Sequence, residues 1–308
     1  MEERKIIKFG KSSHVITLPN EWMNNNKLEK GDKVNISQMQ NSLLVTLDEK
    51  IEKETVEIDI DAVPLKIFNK MLMGYYLKNY KFIKIKGKKV IERLEEIRVL
   101  KEKLSSVEIF EIGKDYVLLK DLSDPDKLDV TNLIERIVEI EKLLFNEVIE
   151  NNRHRYIAQV DSNINKLTFL TFKTINYNLE KKHKIDEVKN SIYSWRIVGS
   201  FERIGDIIKR ISRYIGNGDK SNRGLVDLLV IVRDYYEFVT GLLGKDINLT
   251  NNLKVYLDKK QSLLKELEES RDKFGDNVSQ YLLIVQLLKD LIGNLETVTI
   301  SIMDINLH

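Results

Sequence analysis

The sequence predicts an α+β protein: a small β-rich amino-terminal domain, a compact α/β sandwich, and an all-α half made of a pair of three-helix bundles. Three observations carry this expectation. All three prolines (Pro19, Pro64 and Pro125) lie in the first 125 residues, so no proline interrupts a helix from Asp126 to His308. Short β-type runs bounded by Gly, Asn, Asp and Ser fill the front, whereas apolar residues stepping by three and four fill the back. At 308 residues the chain suffices for two or three domains, and 42% hydrophobic with 32% charged residues is the composition of a folded chain outside a membrane. No apolar run approaches the roughly 18 residues of a spanning helix. Met1–Lys11 is charged and lacks the apolar stretch of a signal peptide. No membrane insertion is therefore expected, and a cytoplasmic location is.

Residues 1–49 form the first domain. Ile6-Ile7, Phe9 and Val15-Ile16-Thr17-Leu18 are β-type runs around Gly10, Ser12 and Ser13. Pro19 starts a short helix over Asn20–Asn26, because its fixed φ suits a first turn. A turn at Leu28–Asp32 leads to a strand at Val34–Ser37, a turn at Gln40–Ser42 and a strand at Leu43–Leu47. So few apolar side chains cannot bury an adequate core alone, so this domain is expected to share its core with a second copy in a homodimer.

Residues 50–125 form the second domain, in the order βαβαββ. Thr55–Ile60 alternates as a strand, Leu65–Tyr80 has helical spacing, Phe82–Ile85 is a strand and Val90–Leu104 is helical. Val107–Ile112 and Tyr116–Leu119 pair across Gly113-Lys114-Asp115. No residue pattern in this domain carries recognisable chemistry.

Residues 126–308 hold about six helices. Leu133, Ile137, Ile140, Leu144 and Val148 form one stripe, and Ile157, Val160, Ile164, Leu167 and Thr171 a second. Ile197, Phe201, Ile204, Ile208, Ile211 and Ile215 step by 4, 3, 4, 3 and 4, and Gly216-Asn217-Gly218 then stops that helix. Helices at Leu225–Leu243, Leu249–Arg271 and Val278–Asp304 follow, so the half reads as a duplicated three-helix unit.

Charge and composition narrow the function. Lys plus Arg number 50 against 48 Asp plus Glu, a net +2, which excludes a chain held on nucleic acid by bulk charge but leaves room for a local basic patch. The absence of cysteine removes disulfides, thiolate catalysis and Cys-based metal sites, and four His are too few for a His-rich metal centre. Arg4, Lys5, Lys8 and Lys11, with His14 near by, form such a patch on strands and a tight loop. Doubled in a dimer, it could track phosphates, each contact releasing a counterion, while Gly10, Ser12 and Ser13 let the backbone come close. The same charges also suit a solvated strand face, with Glu2 and Glu3 partly cancelling them.

The stretch from Arg4 to Trp22 resembles the opening of an AbrB/SpoVT-type swapped-hairpin domain, with Gly10-Lys11-Ser12-Ser13-His14-Val15-Ile16-Thr17-Leu18-Pro19 at its centre. Leu28-Glu29-Lys30-Gly31-Asp32-Lys33-Val34 is similar to the second signature of that family, so the likeness covers residues 1–47. Such domains are interleaved dimers of transcription regulators and antitoxins. The resemblance implies double-stranded DNA as a partner, contacted through Arg4, Lys5, Lys8, Lys11 and the loop Ser12, Ser13 and His14.

In the helical half, Glu202 and Asp206 lie four residues apart, on one helix face and off the apolar stripe. Like charges at that spacing repel by roughly 0.2–0.5 kcal/mol, which a hard cation would relieve. Asp161, also off its stripe, could face them from the preceding helix; alternatively, Asp206 pairs with Arg210 on a solvated face. Phe201-Glu202-Arg203-Ile204-Gly205-Asp206 resembles the signature of the PhoU family, phosphate-signalling proteins of two three-helix repeats, and Val160–Leu167 falls where that family has D-x-x-x-D. The likeness spans about 128–308 and is good in the first repeat only. It implies metal held by carboxylate pairs, from which this chain departs: Asn165 replaces one acid, Ser262 follows Asp258, and Ile300 follows Glu296. The second site is therefore expected to be dead. The first retains Asp161, Glu202 and Asp206 for a divalent metal or iron.

Trp195, Tyr235, Tyr236 and Phe238 sit at packing positions, and Arg153, His154 and Arg155 cluster at a helix start with charge of the wrong sign for it. No nucleophile–base pair or nucleotide loop is present, so no enzyme is expected. The reading is a DNA-binding transcriptional regulator of phosphate uptake or homeostasis. The alternative is an adaptor that binds a phosphate transporter's ATPase or a sensor kinase and uses its amino-terminal domain only to dimerise.

Overall fold

A computed structural model describes residues 3–38, 42–47, 53–181, 185–215, 223–244, 249–270 and 278–306. The helix stop expected at Gly216–Gly218 and Gln40 and Asn41 of the expected turn lie outside these residues. The chain divides into two compact units, Met1–Lys50 and Ile51–His308.

In the first unit, β1 (Ile7–Phe9) and β2 (Ser13–Val15) form an antiparallel hairpin, turned at Gly10 with φ +71°. The short helix α1 (Asn20–Asn25) starts after Pro19, whose carbonyl accepts from the Met23 N–H at 3.0 Å. It ends one residue earlier than the sequence suggests, because Lys27 takes φ 53° and Leu28 N–H turns back to the Met23 carbonyl at 2.9 Å. A second antiparallel hairpin, β3 (Asn35–Gln38) and β4 (Leu43–Thr46), is a separate sheet. No described residue of this unit is buried.

The second unit opens with β5 (Lys53–Asp59), α2 (Leu65–Leu77), β6 (Tyr80–Lys86), α3 (Leu94–Lys101), β7 (Val107–Ile112) and β8 (Tyr116–Asp121). This is the expected βαβαββ order. The sheet runs β5-β6-β8-β7, with β5 parallel to β6 because a helix crosses between them and the other pairs antiparallel. Ile58, Ile83, Ile85, Val117 and Leu119 alternate inward and pack against Phe68, Leu72 and Tyr76 of α2 and Ile97 of α3. Both helices of this layer have bounds that differ from the periodicity, and α3 also ends at Lys101 rather than Leu104. The helix α2 stops at Leu77 rather than Tyr80, since Asn79 adopts φ 61° and leaves the helical region. The helix α3 starts at Leu94 rather than Val90, since the Asp61 carboxylate accepts the backbone N–H of Lys88 at 2.6 Å and of Lys89 at 3.4 Å and holds a turn there.

A 3₁₀ turn at Pro125–Lys127 leads into six helices: α4 (Val130–Glu150), α5 (His154–Lys181), α6 (Ile185–Ile215), α7 (Arg223–Thr240), α8 (Leu249–Glu269) and α9 (Val278–Asn306). Asp129 caps α4, its carboxylate accepting the Asn132 N–H at 2.9 Å. Ile197, Phe201, Ile204, Ile208, Ile211 and Ile215 of α6 are all buried, so the stripe is a core face. The two predicted three-helix units share one continuous apolar core, with α6 packed along α9. The helix α5 also docks on the sheet layer: Asn79 Nδ2 donates to the Lys173 carbonyl at 3.3 Å and Asn176 Nδ2 to the Leu77 carbonyl at 3.1 Å. Among the described residues no helix is long and apolar enough to cross a membrane.

Candidate nucleic-acid interface and carboxylate pairs

The register of the first hairpin sorts its side chains. Lys8 lies opposite His14, while Ile7 lies opposite Val15 and Phe9 opposite Ser13. Because strand side chains alternate, Lys8 and His14 share one face and Ile7, Phe9, Val15 and Ser13 share the other. Lys11 and Ser12 occupy the turn, and Arg4 and Lys5 precede β1; all of them are exposed. The apolar face is equally bare, with Phe9 68%, Ile7 52% and Val15 42% exposed. The second hairpin repeats the pattern, with Ile36 at 65% and Leu43 at 63%. An uncovered apolar face of this kind marks an interaction surface.

The carboxylates of the first repeat differ in burial, and both Asp161 and Asp206 act on Glu202. Asp161 on α5 is buried at 4% exposure, inside rather than off the core stripe. Its Oδ2 meets the Lys209 ammonium from α6 at 2.5 Å, and Asn165 Nδ2 lies 3.5 Å from the same oxygen. Glu202 is half-buried, and its carboxyl is held above the ordinary range by desolvation, then by the charge of Asp206, with Asp161 adding to the effect and Arg203 opposing it. Asp206 stays exposed. Among the described residues no three His, Asp or Glu converge on a point where a metal could sit. Of the set Asp161, Glu202 and Asp206 expected to hold a divalent metal or iron, the most buried member thus has an ammonium against one of its oxygens.

In the second repeat Asp258 and Ser262 are exposed on α8, and Ile300 is 43% exposed on α9. Glu296 is paired with Lys260 of α8 at 2.6 Å. Arg153 precedes α5 rather than entering it and clamps Glu147 through Nε at 2.8 Å and Nη2 at 2.6 Å, so its charge is spent on the α4–α5 turn.

Three titratable residues matter here that spacing alone did not single out. Glu141 is fully buried in the bundle; the Tyr236 hydroxyl donates to Oε2 at 2.8 Å, and Oε1 has no hydrogen-bond partner. Burial holds its carboxyl well above the usual range, partly offset by Tyr236 and the Gly205 backbone. Its signal was present: Glu141 sits four after Ile137 and three before Leu144, a core position. Lys173 is buried at the junction of sheet and bundle, against the Asp121 carboxylate and 2.6 Å from Ser123 Oγ. Burial pulls its pKa down and the charge of Lys81 adds to this, while the touching carboxylate opposes it. The third is Lys209. In the cleft of about 370 Å³ beside Lys173, Asp126 accepts from both Tyr177 and Lys181.

No family model, curated protein or solved structure matches this chain.

Proposed function

We propose that the protein is a homodimeric, DNA-binding transcriptional regulator of phosphate uptake or homeostasis, acting in the cytoplasm. The observation that carries the DNA reading is the two-faced register of the first hairpin, with Lys8 and His14 on one side and Ile7, Phe9 and Val15 on the other. A second copy laid on the apolar sides of both hairpins would give the unit the core it lacks and set two cationic faces side by side. Arg4, Lys5, Lys8 and Lys11 then contact phosphates, and Ser12, Ser13 and His14 approach the backbone. The link to phosphate rests on the resemblance of the helical half, which would receive the signal through a ligand or partner.

Gel-shift titration against the protein's own upstream region, repeated across salt concentrations, tests this. Binding falls steeply with salt, and each phosphate-contacting lysine removed shallows the log–log slope by about 0.9. Lys8→Ala with Lys11→Ala, present twice in a dimer, shallows it by up to about 3.6. Absence of binding at low salt refutes the regulator and leaves the adaptor for a transporter ATPase or sensor kinase.

A further inference from the structure

The geometry points to a built-in cation in each helical repeat: the ammonium groups of Lys209 and Lys260 each pair with one carboxylate at the joint, Asp161 in the first and Glu296 in the second, so that the bundle stands without a metal there. This rests on the bundle alone and stands whether or not the hairpin binds DNA.

The two pairs occupy equivalent joints. In each three-helix unit the join between the second and third helices carries the acidic positions: Asp161 and Glu202 across α5 and α6, Asp258 and Glu296 across α8 and α9. In the first, Lys209 on the third helix reaches Asp161 on the second at 2.5 Å. In the second, Lys260 on the second helix reaches Glu296 on the third at 2.6 Å. The lysine comes from opposite helices in the two repeats, so a single duplicated residue does not account for both; at each joint an ammonium meets one carboxylate. The first pair is the more enclosed, with the Asp161 side chain 6% and the Lys209 side chain 30% exposed. The second is looser, at 21% for Lys260 and 40% for Glu296.

The electrostatics follow. A divalent ion entering the first joint would meet an ammonium already in contact with the most buried carboxylate, and the two cations would repel in a partly enclosed setting. At the second joint Ser262 and Ile300 bring no charge, so Lys260 alone balances Glu296.

The test uses the full chain after chelator treatment, with Mn²⁺ as the probe. The native chain retains no stoichiometric metal by elemental analysis, and its denaturation midpoint is the same in EDTA and in Mn²⁺. Lys209→Met lowers the midpoint equally in EDTA and in Mn²⁺; Lys209→Arg stays close to the native chain in both. Stoichiometric Mn²⁺ on the native chain with a rise in its midpoint overturns the inference. So does a Lys209→Met midpoint unchanged in EDTA. If Lys209→Met does not fold, Lys260→Met puts the same question to the more exposed pair, and the native-chain titration needs no variant.

Discussion

Replacing Glu141 with Gln preserves the shape of the side chain and keeps an oxygen for the Tyr236 hydroxyl, yet removes the titration. In the folded protein this carboxyl is enclosed on every side: Tyr236 comes from α7, the Gly205 backbone from α6, and Ile164 from α5 lies against Gly205. No cation is among the groups that act on it, so burial keeps it protonated above its ordinary value of 4.5. The unfolded chain releases that proton near 4.5 and the native chain does not, so the native state binds more protons over the window above 4.5. Stability therefore falls with rising pH in that window by about 1.4 kcal/mol per unit, and the loss stops only where the native carboxyl itself ionises. Gln lacks this slope. It brings an amide that meets no acceptor where Oε1 stands, a constant penalty of roughly 1–3 kcal/mol. The diagnostic quantity is thus the difference between the two proteins as a function of pH, in which all other titrating groups cancel. Urea unfolding followed by far-ultraviolet circular dichroism at successive pH values above 4.5 measures it. Glu141→Gln gains on the native chain by about 1.4 kcal/mol for each unit. Parallel curves, with the difference independent of pH, refute a buried neutral carboxyl.

Two further expectations concern the sheet–bundle junction and the amino-terminal unit. Lys173→Met strands the Asp121 carboxylate in a buried site and costs roughly 3–5 kcal/mol, whereas the double change with Asp121→Asn recovers much of that in equilibrium unfolding; equal losses in single and double variants contradict the pairing. Phe9→Asp places a charge on the bare apolar face of the first hairpin and shifts the chain from dimer to monomer in sedimentation velocity, with helix content unchanged; a dimer that survives the change locates the contact elsewhere.

Much of the architecture was legible because its signals are local. Gly10 and Pro19 mark a turn and a helix start through their own backbone preferences, and the βαβαββ order of residues 53–121 follows from alternation and helical spacing. The start of α3 has a non-local cause. The helix α3 starts late because the side chain of Asp61, some thirty residues earlier in the chain, takes the N–H groups of Lys88 and Lys89. The candidate hairpin residues are exposed, and only the pairing register separates Lys8 and His14 from Ile7 and Phe9. The carboxylates were found by spacing, and spacing misjudged Asp161, whose burial depends on how far α5 is rotated against α6.

From the order of its residues alone, this protein declares a β-rich head, a small mixed layer and a long helical half, because periodicity, proline and glycine act within a few residues of themselves. The folded arrangement alone decides which charges end up inside and what neutralises them. Lys209 meets Asp161 across 48 residues of chain, and Lys173 meets Ser123 across 50. Such partnerships arise from the rotation and spacing of packed helices, and in a low-dielectric interior each buried charge must find its counterpart wherever the packing happens to bring one.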